Sequence, residues 1–296
     1  MWVRKVIGRV AGWSKLNVNT VQRVDDGDDQ MVEFHLPYDI LDHIFSFLKP
    51  HPRALYQCSK AHPILSQIVE RHRFHHIIVA TGFSKIAFSL KPSQLLKHLA
   101  EKPRIVNYVT ILQIDFASGY QGEPIEPTLN EIASLMPMFP VLECIILSTQ
   151  KSYPVSLKGL PQSFRKALEN CLCLPTLQEV HIGNISFPLS MLDNHANINY
   201  LSLSHPPQVE PEYLETTYPQ IKFLALGGFD NRSNDFARAT WAKRHITQLQ
   251  SLKYDLSCNE MISPVLDVCS DTVENLYIDL YRCEFKSSSH KSSIVC

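Results

Sequence analysis

Glycine is scarce in this chain: 10 residues in 296, where about twenty are usual for this length. No GxGxxG, GxxxxGK[ST] or GxSxG segment occurs, so the loops that cradle phosphates and the elbow that presents a nucleophilic serine are missing. Charge of either sign is also lacking in excess. Lysine plus arginine number 28 against 29 aspartates and glutamates, which leaves no basic surplus for neutralising phosphates and argues against nucleic acid as a partner. No apolar run approaches the roughly 18 residues of a membrane helix, and the N-terminus has no signal-peptide core, so neither a membrane nor secretion is expected. The eight cysteines form no CxxC pair, and several lie in apolar runs such as "LECIIL", where a free thiol acts as a small hydrophobe. A reducing compartment follows. The triplets beginning at Asn184 and Asn231 have the glycosylation pattern, which has no meaning without secretion.

What is present is oil: 45% of residues are hydrophobic, enough to bury a large core. The first 24 residues carry five basic side chains, no acid, and Trp2, Val3, Val6, Ile7, Val10 and Trp13 at helical spacing. That composition suits a mitochondrial presequence or a surface-seeking helix; a packing helix or loose extension ahead of "DDGDD" is the preferred expectation. Downstream, "LPYDILDHIFSFLKP" predicts a helix of about twelve residues, with Pro37 at its first position, Asp39 and Asp42 near the positive end of the dipole, and Pro50 and Pro52 stopping it. At 100° per residue its apolar positions fill an arc of about 180°, against the roughly 100° stripe of an ordinary surface helix. Two more short helices are expected, at 53–60 and 63–74, with Leu55, Cys58, Ile64, Leu65, Ile68, Val69 and Phe74 inward. Some forty residues in three helices rarely stabilise themselves, so the surplus apolar surface is read as a docking face for another protein.

From residue 105 onward one pattern returns, apolar-x-x-apolar-x-apolar: Val109/Leu112/Ile114, Leu142/Ile145/Leu147, Leu177/Val180/Ile182, Ile198/Leu201/Leu203, Ile221/Leu224/Leu226, Leu249/Leu252/Tyr254 and Val273/Leu276/Ile278. The starts lie 21 to 35 residues apart, near the roughly 20–29 of leucine-rich repeats once longer insertions are allowed. Each segment alternates as a strand should, and helical stretches such as "SFRKALENCL" and "LNEIASLM" fall between them, which predicts a parallel sheet with outer helices. The alternate positions then look out from the open face: Gln113, Ile146, Glu179, His181, Tyr200, Ser202, Phe223, Ala225, Lys253, Asp255, Asn275 and Tyr277. Tyr200 and Phe223 hold one position in consecutive repeats and are expected side by side. Ile146, His181, Tyr200, Phe223 and Tyr277 are the candidate target-binding residues, with the turn-rich loops 115–128, 204–213 and 227–235 as a second candidate and cover by a loop or the C-terminal segment as the alternative.

With these residues in place, the segment 35–79 resembles an F-box. The resemblance rests on Leu36-Pro37, Ile40-Leu41, Ile44 and Leu48, followed by Leu55, Cys58-Ser59 and "FHHIIV"; Lys60 and "AHPIL" depart from the usual second half. The stretch "LLKHLAEKPRIVNYVTILQI" is similar to the junction of fungal F-box proteins that leads from a helix into the first repeat strand. The resemblance implies an α/β chain: an N-terminal extension (1–34), a three-helix F-box (35–79), a connection (80–104), an irregular leucine-rich-repeat-like solenoid with a curved parallel sheet (105–285), and a polar, disordered tail (286–296). It further implies docking of Leu36, Pro37, Ile40, Leu41, Ile44, Phe45 and Leu48 on the Skp-type adaptor of a cullin-RING (SCF) ubiquitin ligase in the cytoplasm or nucleus, with the repeats capturing a target protein. No cofactor is implied. The rival readings are a repeat scaffold unconnected with ubiquitin and a hydrolase with an unrecognised site. His72, His75 and His76 in "HRFHH" have no carboxylate or cysteine at ligand spacing and are expected to flank a helix end and a strand, not a metal; Cys171 and Cys173 should lie on different sides of a helix.

Overall fold

The computed structural model describes residues 37–49, 51–82, 89–116, 125–149, 155–193, 195–204, 220–227, 246–255 and 263–279. The chain divides into two compact units, one of Met1–His76 with Pro103–Tyr108, the other of Ile77–Lys102 with Val109–Cys296.

The described part of the first unit is helical: α1 (Tyr38–Ser46), α2 (Pro52–Ala61) and α3 (Pro63–Phe74), with a 3-10 segment, Pro103–Tyr108. Pro37 is the N-cap of α1, one place before the first helical residue and not that residue itself as expected, and its carbonyl accepts from Leu41 N–H at 3.1 Å. The helix is nine residues, shorter than expected. Its end tightens into three-residue hydrogen bonds, Leu48 to Phe45 and Lys49 to Ser46, while Ser46 Oγ turns back to the His43 carbonyl at 2.6 Å. Helix α2 stops at Ala61 because His62 precedes a proline and is held extended (φ −158°, ψ 144°). Leu55, Cys58, Ile68 and Val69 are buried as expected, joined by Phe45 and Leu48, with Leu41 and Leu65 packed against them. Phe74 is only half-buried. Polar ties reinforce this core. Asp42 on α1 receives His72 Nε2 at 2.7 Å and the Arg71 guanidinium, both from α3, and Arg104 pairs with the buried Glu70.

In the second unit, β1 (His76–Ala80), β2 (Ile111–Phe116), β3 (Cys144–Thr149), β5 (Glu179–Gly183), β7 (Tyr200–Leu203), β8 (Phe223–Leu226), β9 (Ser251–Asp255) and β10 (Asn275–Asp279) form one eight-stranded sheet in chain order. The registered pairs from β2 to β10 are all parallel. Two short strands, β4 (Val155–Ser156) and β6 (Ile185–Ser186), pair apart from it. Helices α4 (Pro92–Glu101), α5 (Ile125–Leu135), α6 (Gln162–Leu172) and α7 (Ser263–Cys269) are interleaved between strands. The protein is therefore an α/β chain with an all-parallel sheet. No described helix is long and apolar enough to cross a membrane.

In all seven recurring segments the last two apolar residues lie on a strand and the first precedes it, and register aligns them: Leu112, Ile145, Val180, Leu201, Leu224 and Leu252 form one buried row, and Ile114, Leu147, Ile182, Leu203, Leu226 and Tyr254 the next. One backbone device repeats at each step. The Thr110 carbonyl accepts the N–H groups of Glu143 and Cys144, at 2.8 and 3.0 Å, and the carbonyls of Glu143, Gln178, Asn199, Lys222 and Gln250 do the same for the pair of residues starting the following strand. Such shared acceptors satisfy the donors at each strand start and set the register on which the side-chain rows depend.

Two expectations change. "HHIIV" gives the expected strand, β1, but as the first strand of the sheet, and α4 in the stretch read as a connection belongs with that sheet too. Leu276 and Ile278, expected inward, are both 45% exposed. They stand on the last strand of the sheet, and each repeat's core is supplied by its neighbour, so the final strand receives cover from one side. The segments 1–34 and 286–296 lie outside the described residues.

Candidate functional sites

The first site is a strip on α1. Pro37, Ile40, Ile44 and Phe47 follow one another at spacings of three or four residues, and Ile40, Ile44 and Phe47 are 44%, 41% and 68% exposed. The strip exists because α1 needs only one edge to complete its own core. Leu41, Phe45 and Leu48 point to that edge and leave the wide arc's other half uncovered. The seven residues expected to dock thus separate: Pro37, Ile40 and Ile44 are accessible, Leu41 is half-buried, and Phe45 and Leu48 are core residues and no part of an accessible face. Leu36 lies outside the described residues. Phe47 belongs to the strip although it is not in the expected set, since the 100° spacing places it beside Ile40; exposed Tyr38 stands at the opposite end of the arc, beyond Phe45.

Electrostatics hold this strip in place. Burial opposes ionisation of Asp42, but the hydrogen bonds from Arg71 and His72 outweigh it and keep the carboxyl below its ordinary range. Burial lowers the pKa of His72, against the opposing pull of Asp42. The arrangement at neutral pH is a neutral imidazole donating Nε2–H to a carboxylate, which fixes α1 on α3. The other two histidines do flank the helix end and the strand: His75 donates Nδ1–H to the His72 carbonyl at 2.8 Å, and the His76 ring lies 6.2 Å from that of His75 at the start of β1.

The second site is the open face of the sheet. Tyr200 and Phe223 are register partners, and their rings stack at 4.4 Å between centroids and 8° between planes. His181 extends the stack, its ring 4.8 Å from Tyr200. Ile146 is the register partner of His181, so four of the five expected target-binding residues are adjacent. Tyr277 is exposed but sits on β10, two strands beyond Phe223, and does not join the stack. Gln113 is tied to Ser148 at 3.4 Å on the same face. Of the loops expected as a second recognition surface, 117–124, 205–213 and 228–235 lie outside the described residues, while 115–116 end β2 and 125–128 begin α5.

Cys144 is buried, as expected of a small hydrophobe in "LECIIL", and it shares the sheet face of Ile146, two residues along the same strand. Its register partner is Glu179. The ligand atoms of Cys144, Glu179 and His181 all lie within 4.8 Å of one another, and His181 Nε2 is 3.4 Å from Glu179 Oε2. Burial, then the Glu179 carboxylate, push the thiol up to about 12, and burial followed by the same carboxylate raises the Tyr200 hydroxyl. The period of two could have found Cys144; the apolar setting of "LECIIL" concealed it. Cys171 is buried on α6 and Cys173 exposed at its end, on different sides as expected.

No protein-family model, curated protein or solved structure matches this chain.

Proposed function

We propose that this chain is the substrate-receptor subunit of an SCF-type ubiquitin ligase, with residues 35–79 acting as an F-box and the sheet unit as a leucine-rich-repeat-like platform for a target protein. The observation that carries the reading is the uncovered strip Pro37, Ile40, Ile44 and Phe47 on a helix whose opposite edge already completes its own core. An apolar row at helical spacing, next to a small unit with little core of its own, is the form taken by a helix that anchors in a partner's groove. The motif "LPYDIL" with Ile44 and Leu48 narrows that partner to the Skp-type adaptor, and through it the cullin. Strands in chain order, repeated backbone brackets and an aromatic stack on the open face support the platform half of the reading.

The mechanism is proximity. The chain contributes no bond-making group; it holds the target beside a ubiquitin-charged enzyme and raises effective concentration to about the millimolar range. The Ile40→Asp/Ile44→Asp double variant tests the reading: it should retain its fold by circular dichroism and lose co-purification of adaptor and cullin. Undiminished recovery of both partners would refute the assignment and leave a repeat scaffold unconnected with ubiquitin. Purification with and without proteasome inhibition then identifies the target, since a captured substrate accumulates only when degradation is blocked.

A further inference from the structure

We propose that Cys144, Glu179 and His181 form a binding site for a zinc-type divalent cation on the open face of the sheet. A thiolate, a carboxylate and an imidazole are a ligand set that zinc accepts, and three protein ligands leave a fourth position for water. The three come from two hydrogen-bonded strands: Cys144 and Glu179 are register partners, and His181 follows Glu179 by two residues, which returns it to the same face. Strands are rigid supports for such a constellation.

One separation suits a cation shell better than a direct charge-assisted contact. His181 Nε2 and Glu179 Oε2 are 3.4 Å apart, long for a charge-assisted hydrogen bond, which favours about 2.7–2.9 Å. Bond lengths of about 2.0–2.3 Å in a tetrahedral shell place neighbouring ligand atoms about 3.3–3.7 Å apart, a span that includes this one. The cluster as a whole lies within 4.8 Å, so small side-chain rotations close the remaining gap. The ring of Tyr200, 4.8 Å from that of His181, limits how far the imidazole swings away. On binding, the sulfur–metal bond replaces the S–H bond and the proton passes to solvent, with no change of oxidation state. The site does not depend on the ligase reading; it would operate equally on a scaffold.

The test uses the full chain, reduced and stripped with chelator, titrated with cobalt(II) as a spectroscopic substitute for zinc. The wild type should develop a thiolate-to-cobalt charge-transfer band that saturates at one equivalent and is abolished by added zinc. Cys144→Ser should lose the band, and His181→Gln, altering a half-buried side chain on the open face, should weaken cobalt binding at least about tenfold. No band in the wild type overturns the proposal, as does a band that survives Cys144→Ser, because the metal would then sit at other cysteines. Should the serine variant fail to fold, unchanged affinity in His181→Gln overturns it alone.

Discussion

Ile44 and Phe45 are chain neighbours with opposite environments, 41% and 5% exposed, and their substitution separates docking from folding. Phe45→Ala empties part of a core shared with Leu48, Leu55, Cys58, Ile68 and Val69, a change that costs about 3–5 kcal/mol. That is a large share of the stability available to a unit of this size. Ile44→Asp removes no core contact; a surface change of this kind costs within about 0.5 kcal/mol, with up to about 1 kcal/mol more for an acid near the negative end of the helix dipole. On binding the order reverses. Burying an isoleucine contributes about 1.5–3 kcal/mol, roughly 10- to 150-fold in affinity, and an unpaired carboxylate in its place adds several kcal/mol of desolvation. Ile44→Asp should therefore weaken adaptor binding by at least about a hundredfold in calorimetry while the amides of α1 to α3 keep their hydrogen-exchange protection. Phe45→Ala should lose that protection first. Adaptor binding within about twofold of wild type for Ile44→Asp would refute the docking strip, and loss of protection equal to that of Phe45→Ala would refute its exposure.

Replacing both Tyr200 and Phe223 by alanine should abolish target capture while costing about 0.5–1.5 kcal/mol from the lost stack, plus the buried area of each ring; target recovery unchanged in the affinity purification would move recognition elsewhere. The folded-state pKa of His72 lies below 6.5, so the folded chain binds fewer protons than the unfolded one. Its contribution to stability is full above pH 6.5 and is lost as pH falls toward the folded pKa. The thermal midpoint of the helical unit should drop between pH 7 and pH 5, and His72→Gln, which keeps an N–H for Asp42 but does not titrate, should flatten that slope. Burial holds Cys144 and Cys171 at about 12 and Cys269 at about 11, so alkylation of the native chain at pH 8, read by peptide mass spectrometry, should mark exposed Cys173 far faster than these three.

Much of the sheet was legible in advance. The seven apolar triplets specify strands because a period of two on a buried parallel sheet leaves no other face for Leu112, Ile145 or Leu201, and the spacing of Tyr200 and Phe223 relative to those triplets was sufficient to predict their stacking. The α1 strip was half legible. The angular width of the arc showed surplus oil, but not which residues lie at its edges, and Phe45 and Leu48 went to the core while Phe47 went to solvent. Periodicity gives angles around a helix axis; the position of the neighbouring helices decides which angle is inside. The place of strand β1 was hidden for a related reason: a strand is expected after α3, but only pairing with β2 attaches it to the sheet.

Local pattern, then, determined the α/β class, the number of recurring strands and the surplus of apolar surface near the front, since each depends on residue spacing along one element. Tertiary structure decided what depends on distance between elements: the Asp42–His72 tie, the half of α1 left uncovered, and the meeting of Cys144 with Glu179 and His181 from strands 35 residues apart in sequence. Those side chains meet because parallel pairing puts residue 144 beside residue 179, and no periodicity within either segment carries that information.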